Sequence, residues 1–285
     1  MAVKSPIDVA KLTYRIGTSP IRLMPDFIII GAQKGGTTSL YYYLAGHPNI
    51  VPALKKELRF FDLNLQKGLA WYRAQFPVWR WDCITGEASP DYLFHPHVPA
   101  RIAGLLPHVK LIVLLRNPVD RAFSHYHHQV RRGRETLSFE DALACEAERI
   151  REEGERVAAN GAYYSYNHEH FSYLARGRYV DYLQTWLSIF PREQMLILKS
   201  EDLYSDPAAI IKQTLQFLKL PDAGREGQKN EYKRYNKTPS AFRDQMDSAL
   251  REQLMAYYES HNARLYELLG RDFHWSDQGL YYAED

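Results

Sequence analysis

Eight residues, Gly31-Ala32-Gln33-Lys34-Gly35-Gly36-Thr37-Thr38, bring glycines, one lysine and two hydroxyls together between the apolar run Phe27–Ile30 and the stretch Thr38–Leu44, which Gly46-His47-Pro48 stops. A buried strand, a glycine loop and a helix in that order aim backbone N–H groups and the positive end of a helix dipole at one point, where an anion belongs. A Walker A loop, GxxxxGK[ST], carries its lysine immediately after the last glycine. Here Thr37 stands in that place, and Lys34 lies earlier, inside the loop. No apolar run ends in an Asp that would serve as the acidic magnesium ligand of such proteins. By itself the segment is a generic anion cradle.

A second run, Leu111–Leu115, ends in Arg116-Asn117-Pro118, and the helix that follows carries Ser124 one and a half turns in. An arginine at a strand end offers a bidentate fork to a phosphate, and serves equally well as a structural ion-pair partner. In Lys55-Lys56-Glu57-Leu58-Arg59-Phe60-Phe61-Asp62, Glu57 is a carboxylate, ionised at neutral pH, that could accept a proton; its bland alternative is an exposed ion pair. Lys233 and Lys237 make the turn before the last long helix basic. Asp91 reads as a turn residue after Pro90, with acceptor contact as its second reading. Seven histidines, His95, His97, His125, His127, His128, His168 and His170, form no HExxH pair and have no flanking cysteine pair, so no metal centre is implied. His125 and His128 share a helix face. The aromatic run Tyr163–His168 suits either an acceptor site or core packing.

The elements that must position these groups are legible in outline. Strands are expected at Phe27–Ile30, Leu111–Leu115 and Met195–Leu198, with helical patterns between them, which predicts an α/β fold with a central parallel sheet flanked by helices. Ser138 with Asp141 opens a charged helix to about Arg156; Ser205-Asp206-Pro207 opens another through Leu218; a last helix runs over roughly Asp244–Leu269 to Gly270. Residues 1–24 read as an N-terminal arm or short helix, residues 25–285 as one domain, and Gly154–His170 as a long functional loop.

Composition limits the partners. Lys and Arg number 36 against 34 Asp and Glu, a net charge of +2, too little for wholesale nucleic-acid binding, so any anion site is local. Cys83 and Cys145 stand far apart and suit a reducing compartment. No apolar run approaches the roughly 20 residues that span a bilayer, and the N-terminus has no secretory apolar stretch, so a cytoplasmic location is expected.

Together these motifs resemble the sulfotransferase domains that use 3'-phosphoadenosine 5'-phosphosulfate, most of all those of heparan sulfate N-deacetylase/N-sulfotransferases, 3-O-sulfotransferases and their bacterial-type relatives. The likeness spans roughly residues 25–275 and includes Glu57-x-x-Phe60-Phe61, Gly68–Tyr72 with Phe76-Pro77, Gly177–Leu183, and Trp186-Leu187 with Phe190-Pro191. It implies a P-loop-NTPase-like sulfotransferase fold and a metal-free, in-line sulfuryl transfer to a hydroxyl or amine of a carbohydrate or small-molecule acceptor. In that likeness Glu57 is the general base, and Lys34 offsets charge on the bridging oxygen. Gly35, Gly36, Thr37 and Thr38 hold the 5'-phosphate, while Arg116 and Ser124 hold the 3'-phosphate. Lys237, in preference to Lys233, closes over that 3'-phosphate. One departure stands out: Gly86-Glu87-Ala88-Ser89-Pro90 has Ala88 where the animal enzymes have a lysine, leaving Lys34 alone or Lys55, Lys56 or a histidine as substitute. The alternatives are a P-loop nucleoside-triphosphate kinase and a non-catalytic nucleotide- or glycan-binding module.

Overall fold

A computed structural model describes residues 6–222, 232, 235 and 246–275. In chain order the elements are α1 (Pro6–Gly17), β1 (Phe27–Gly31), α2 (Thr37–Ala45), α3 (Gly68–Arg73), β2 (Gly86–Ala88), α4 (Val98–Leu105) and β3 (Lys110–Leu115). There follow α5 (Pro118–Arg131), α6 (Phe139–Ile150), α7 (Glu153–Ala159), α8 (Tyr166–His170), α9 (Tyr179–Ile189), β4 (Met195–Lys199), α10 (Ser200–Ser205), α11 (Pro207–Leu218) and α12 (Ser248–Leu269).

All strand pairs are parallel, in the order β2-β1-β3-β4. Phe27 pairs with Gly86 on one side and Lys110 on the other, and Leu111 pairs with Met195. The chain leaves β1 for one edge and returns to its other side, so the carboxyl ends of β1 and β3 flank a topological switch point, where open α/β sheets bind their ligands. Both faces are covered, as parallel sheets require. Side chains alternate across the pleat: Ile28, Ile30, Leu111, Val113 and Leu115 face Phe60, Tyr72, Val180 and Trp186, while Phe27, Ile29, Ile112 and Leu114 face Leu40, Leu44, Leu203 and Leu215.

Three of the expected strands are present, and β2 is an addition. It is three residues long and opens on a glycine, too short to show a period. The helix opened by Ser138, whose Oγ accepts from Asp141 N at 3.1 Å, stops at Ile150 rather than near Arg156. Gly154–His170 is not a long loop: it holds most of α7 and all of α8, broken at Asn160-Gly161, and Ser165 caps α8 by accepting from His168 N at 3.0 Å. The expected start of the last helix, Asp244, lies outside the described residues; Asp247 caps α12 through Leu250 N at 3.0 Å.

Two long-range contacts fix the ends. Arg15 of α1 donates to the carbonyls of Ala74 and Phe76 at 2.6 and 2.7 Å, satisfying acceptors just past the end of α3. Trp275 is fully buried. Its carbonyl accepts from Asn117 Nδ2 and its indole N–H donates to Glu201, both at 3.4 Å; Glu201 in turn accepts from Asn117 N at 2.8 Å, and Lys199 donates to Phe273 O. Among the described residues no helix is long and apolar enough to cross a membrane.

Leu111 is wholly buried and Ile7 is 65% exposed. Leu111→Ala is therefore expected to lower the unfolding free energy in urea titrations by about 2–5 kcal/mol, whereas Ile7→Ala is expected to change it by no more than about 0.5 kcal/mol.

Candidate functional site

The glycine loop leaves β1 at the switch point and is tied to both neighbouring strands. Ala32 N donates to Leu114 O of β3 at 2.8 Å, Gly35 N to Ala32 O at 2.9 Å, and Ser200 Oγ, just after β4, to Gly35 O at 2.7 Å. Gly35 is required by space: a Cβ there would stand 2.5 Å from Leu114 O. Gly36 is required by conformation, at φ +90°, and as the N-cap of α2 it has no side chain to satisfy the first helical N–H groups. Lys34 adopts φ 71°, a left-handed conformation that costs a non-glycine residue about 1–3 kcal/mol and clusters at functional sites. Thr37 is buried at the first turn of α2 and Thr38 beside it is partly buried.

The charge around this loop is one-sided. Burial pulls the Lys34 ammonium down to about 7, and the neighbouring charges that add to the shift are all cations: Arg131, Arg116, Arg121 and Lys56. Arg116, at the carboxyl end of β3, donates to Lys34 O at 3.4 Å, and its own carbonyl accepts from the Tyr179 hydroxyl at 2.9 Å. Asn117 caps α5 by accepting from Val119 N at 3.0 Å and so fixes the helix that carries Ser124. Ser124, His128 and Arg131 follow at i, i+4 and i+7, one stripe of α5. His125, on the neighbouring face, is fully buried and bonded to Gln129 at 3.0 Å. Burial and the Lys34 charge hold His128 neutral, at about 4.

Glu57 is reached from the opposite rim. Its N–H donates to Ala88 O at 3.0 Å, its φ is 62°, and its half-exposed carboxylate pairs with Lys56, which also stands within charge reach of Lys34. The structure thus brings Lys34, Gly35, Gly36, Thr37, Thr38 and Arg116 together, with Glu57 linked through Lys56 and Ser124 on the adjoining helix. Lys233 and Lys237 lie outside the described residues. Tyr235 is described: its N–H donates to Ser39 Oγ at 3.2 Å and its ring packs on Tyr42 at 4.8 Å.

Behind Glu57 lies an ion network that residue types alone did not reveal. Arg59 pairs with Asp62, with Asp91 at 3.0 Å and with Glu169 at 2.9 Å, and Arg176 also pairs with Asp91. Asp91 is buried; burial opposes its charge, yet Arg59 and Arg176 prevail and hold it at about 2. Gln33 Nε2 donates to it at 3.4 Å, so the network props the loop. Asp91 is therefore committed to two arginines rather than free for an acceptor. Ala88 is wholly buried in β2 against Ile29, and offers nothing to an anion. The aromatic run is likewise engaged: Tyr163 and Tyr164 bond Glu153 at 3.0 Å and His170 at 3.3 Å, and His168 stacks on Phe94. Of that run only His168 lines the nearby cavity of about 490 Å³, to which the glycine loop contributes no residue.

Arg131 and the arginine–carboxylate network are what sequence reading missed. For Arg131 the signal was there, seven residues after Ser124; for the network none was, because its members come from four separate segments.

The family model of the sulfotransferase domain matches residues 24–264. Among solved structures, a sulfotransferase from Alicyclobacillus acidocaldarius superposes with a TM-score of 0.72 at 34% identity, covering 89% of this chain and 99% of that one. The P-loop-like sulfotransferase fold that the resemblance implied is thereby present. Among curated proteins, the mouse heparan sulfate glucosamine 3-O-sulfotransferase 3B1 is 32% identical over 269 residues, covering 88% of this chain and 65% of the relative. The membrane-associated sulfotransferase kil1 of Dictyostelium discoideum is 28% identical, covering 89% and 67%. The chain thus spans about two thirds of the length of these relatives.

Arg59→Met deprives buried Asp62 and part-buried Glu169 of their arginine and leaves Asp91 with Arg176 alone, and is expected to cost about 3–5 kcal/mol in urea titrations at pH 7. Because the folded-state pKa of Asp91 is depressed to about 2, its contribution is full above about pH 4 and is lost as pH falls through about 2. The acid limb of stability should accordingly be shallower in the variant than in the parent.

Proposed function

Since this chain belongs to the sulfotransferase domain family, we propose that it transfers a sulfuryl group from 3'-phosphoadenosine 5'-phosphosulfate to a hydroxyl or amine, with Glu57 as general base and Lys34 at the leaving oxygen. One observation carries the reading: Lys34, partly withdrawn from solvent inside the glycine loop at the open start of a helix, with Arg131, Arg116, Arg121 and Lys56 as the charges that act on it. An anion of several charges offsets the mutual repulsion in such an arrangement.

The residues fit that donor. The N–H groups at Gly36, Thr37 and Thr38, at the start of the helix that Gly35 allows to pass close to the sheet, suit a 5'-phosphate, and Arg116 with Ser124 on the adjoining helix suits a 3'-phosphate, the group that separates this donor from ATP. The donor supplies an activated sulfuryl group; the protein supplies orientation, a proton acceptor and fixed positive charge. Glu57 takes the proton of the attacking group, and its half-exposed position leaves it reachable from solvent. Lys34, held by the loop, stabilises charge that develops on the departing phosphate oxygen. The acceptor class we infer is a carbohydrate hydroxyl or amine, in keeping with the name of the mouse relative; a small-molecule alcohol is the other candidate. A triphosphate kinase gains no support, because the lysine precedes the last glycine instead of following it.

Calorimetric titration with 3'-phosphoadenosine 5'-phosphate is expected to show binding that weakens about ten- to a hundredfold in Arg116→Ala. Undiminished affinity in that variant would reject the 3'-phosphate assignment. Glu57→Gln is expected to lower turnover by about 10²–10⁴ while leaving nucleotide affinity within about twofold. Lys34 in the free site titrates at about 7, so it is mostly neutral at pH 8, and an arriving anion restores its proton. Titrations at pH 8 in buffers of different ionisation enthalpy should therefore register uptake of about one proton per site, absent in Lys34→Met.

A further inference from the structure

The geometry points to Arg131 as the cation that holds the sulfuryl oxygens of the donor. This inference rests on the donor assignment above. Four groups could fill that part. Lys56 is committed to Glu57, and Lys55 is exposed. His128 is neutral. Arg116 donates to the loop carbonyl of Lys34, and its strand-end position suits the 3'-phosphate.

Arg131 differs from all of these. Its guanidinium donates from Nη2 to His128 Nδ1 at 3.3 Å, and its Nε is buried with no hydrogen-bond partner. Among the described residues it forms no ion pair with a carboxylate. A buried guanidinium N–H without an acceptor costs stability of the order of a lost hydrogen bond, and an arriving oxyanion removes that cost. Its position on α5 is also the right one. Ser124 and Arg131 lie on one stripe two turns apart, with His128 between them, so a nucleotide whose 3' end meets Ser124 and that runs along the helix would reach Arg131. Lys34 reaches the same end: among charged neighbours Arg131 acts on it most, and Lys34 acts most on His128. The guanidinium fork suits a sulfuryl group, which presents several equivalent oxygens, and its charge is permanent while that of Lys34 is not.

The test compares two nucleotides that differ only in the sulfuryl group. Affinities for 3'-phosphoadenosine 5'-phosphosulfate and for 3'-phosphoadenosine 5'-phosphate are measured in the parent protein, in Arg131→Gln and in Arg131→Lys. Arg131→Gln is expected to weaken the sulfated nucleotide about ten- to a hundredfold and the desulfated one by less than about twofold. Arg131→Lys, which keeps the charge and loses the fork, should recover most of that difference. Equal losses for both nucleotides would mean that Arg131 only supports the site, and unchanged affinities would mean that it touches no donor atom; either result overturns the inference. A rise confined to the acceptor KM would do the same, assigning Arg131 to the acceptor. Failure of the parent protein to bind the desulfated nucleotide would instead remove the donor assignment itself.

Discussion

A lysine partly withdrawn from solvent, with cations as the charges that act on it most, is the constraint from which the rest of the site follows. Lys34 is flanked by Arg131, Arg116, Arg121 and Lys56. The carboxylates elsewhere in the fold have partners of their own. Asp62, Asp91 and Glu169 belong to Arg59 and Arg176. Glu201 accepts from Asn117 and Trp275, Glu135 pairs with Arg149, and Glu146 accepts from the N–H groups of Leu174 and Ala175. Charge is therefore segregated rather than balanced locally. The segregation stores an electrostatic cost that a polyanionic ligand relieves, and it explains why a protein of net charge +2 can hold a strongly positive cleft.

Holding that arrangement needs rigid backbone, and the sheet provides it. The loop is fastened to β3 through Leu114 and to the end of β4 through Ser200. Gly35 stands so near Leu114 that no side chain fits between them. Arg116 and the α5 stripe leave from the end of the same β3 strand. The placement of Arg116 and of the α5 stripe is thus set by strand spacing and helix pitch, and Lys34 is held by a loop fastened to two strands, which is the condition for preorganised electrostatics.

Much of this was legible in the residues, and what was not has physical causes. The strand–loop–helix around Lys34 announced itself because glycine, an apolar run and a helix start each leave a local mark. Arg116 and the β3 strand were visible for the same reason. Strand β2 was hidden because three residues cannot display a period, and its burial comes from pairing with β1. The stretch containing α7 and α8 read as a loop because Asn160-Gly161 and a run of tyrosines suggest irregular structure; Ser165 and the packing of the aromatic rings hold it helical instead. The Arg59 network joins residues 59, 62, 91, 169 and 176, a set that only the tertiary fold assembles.

The contacts of Trp275 bear on what the segment after α12 does for the elements it touches. Asn117, whose side chain starts α5, and Glu201, which receives the Asn117 N–H, both complete their hydrogen bonding on Trp275, while Lys199 at the end of β4 completes its own on Phe273. The start of the helix that carries Ser124 and Arg131 and the end of β4 are thus bridged by the segment that follows α12, which sits between them as a keystone.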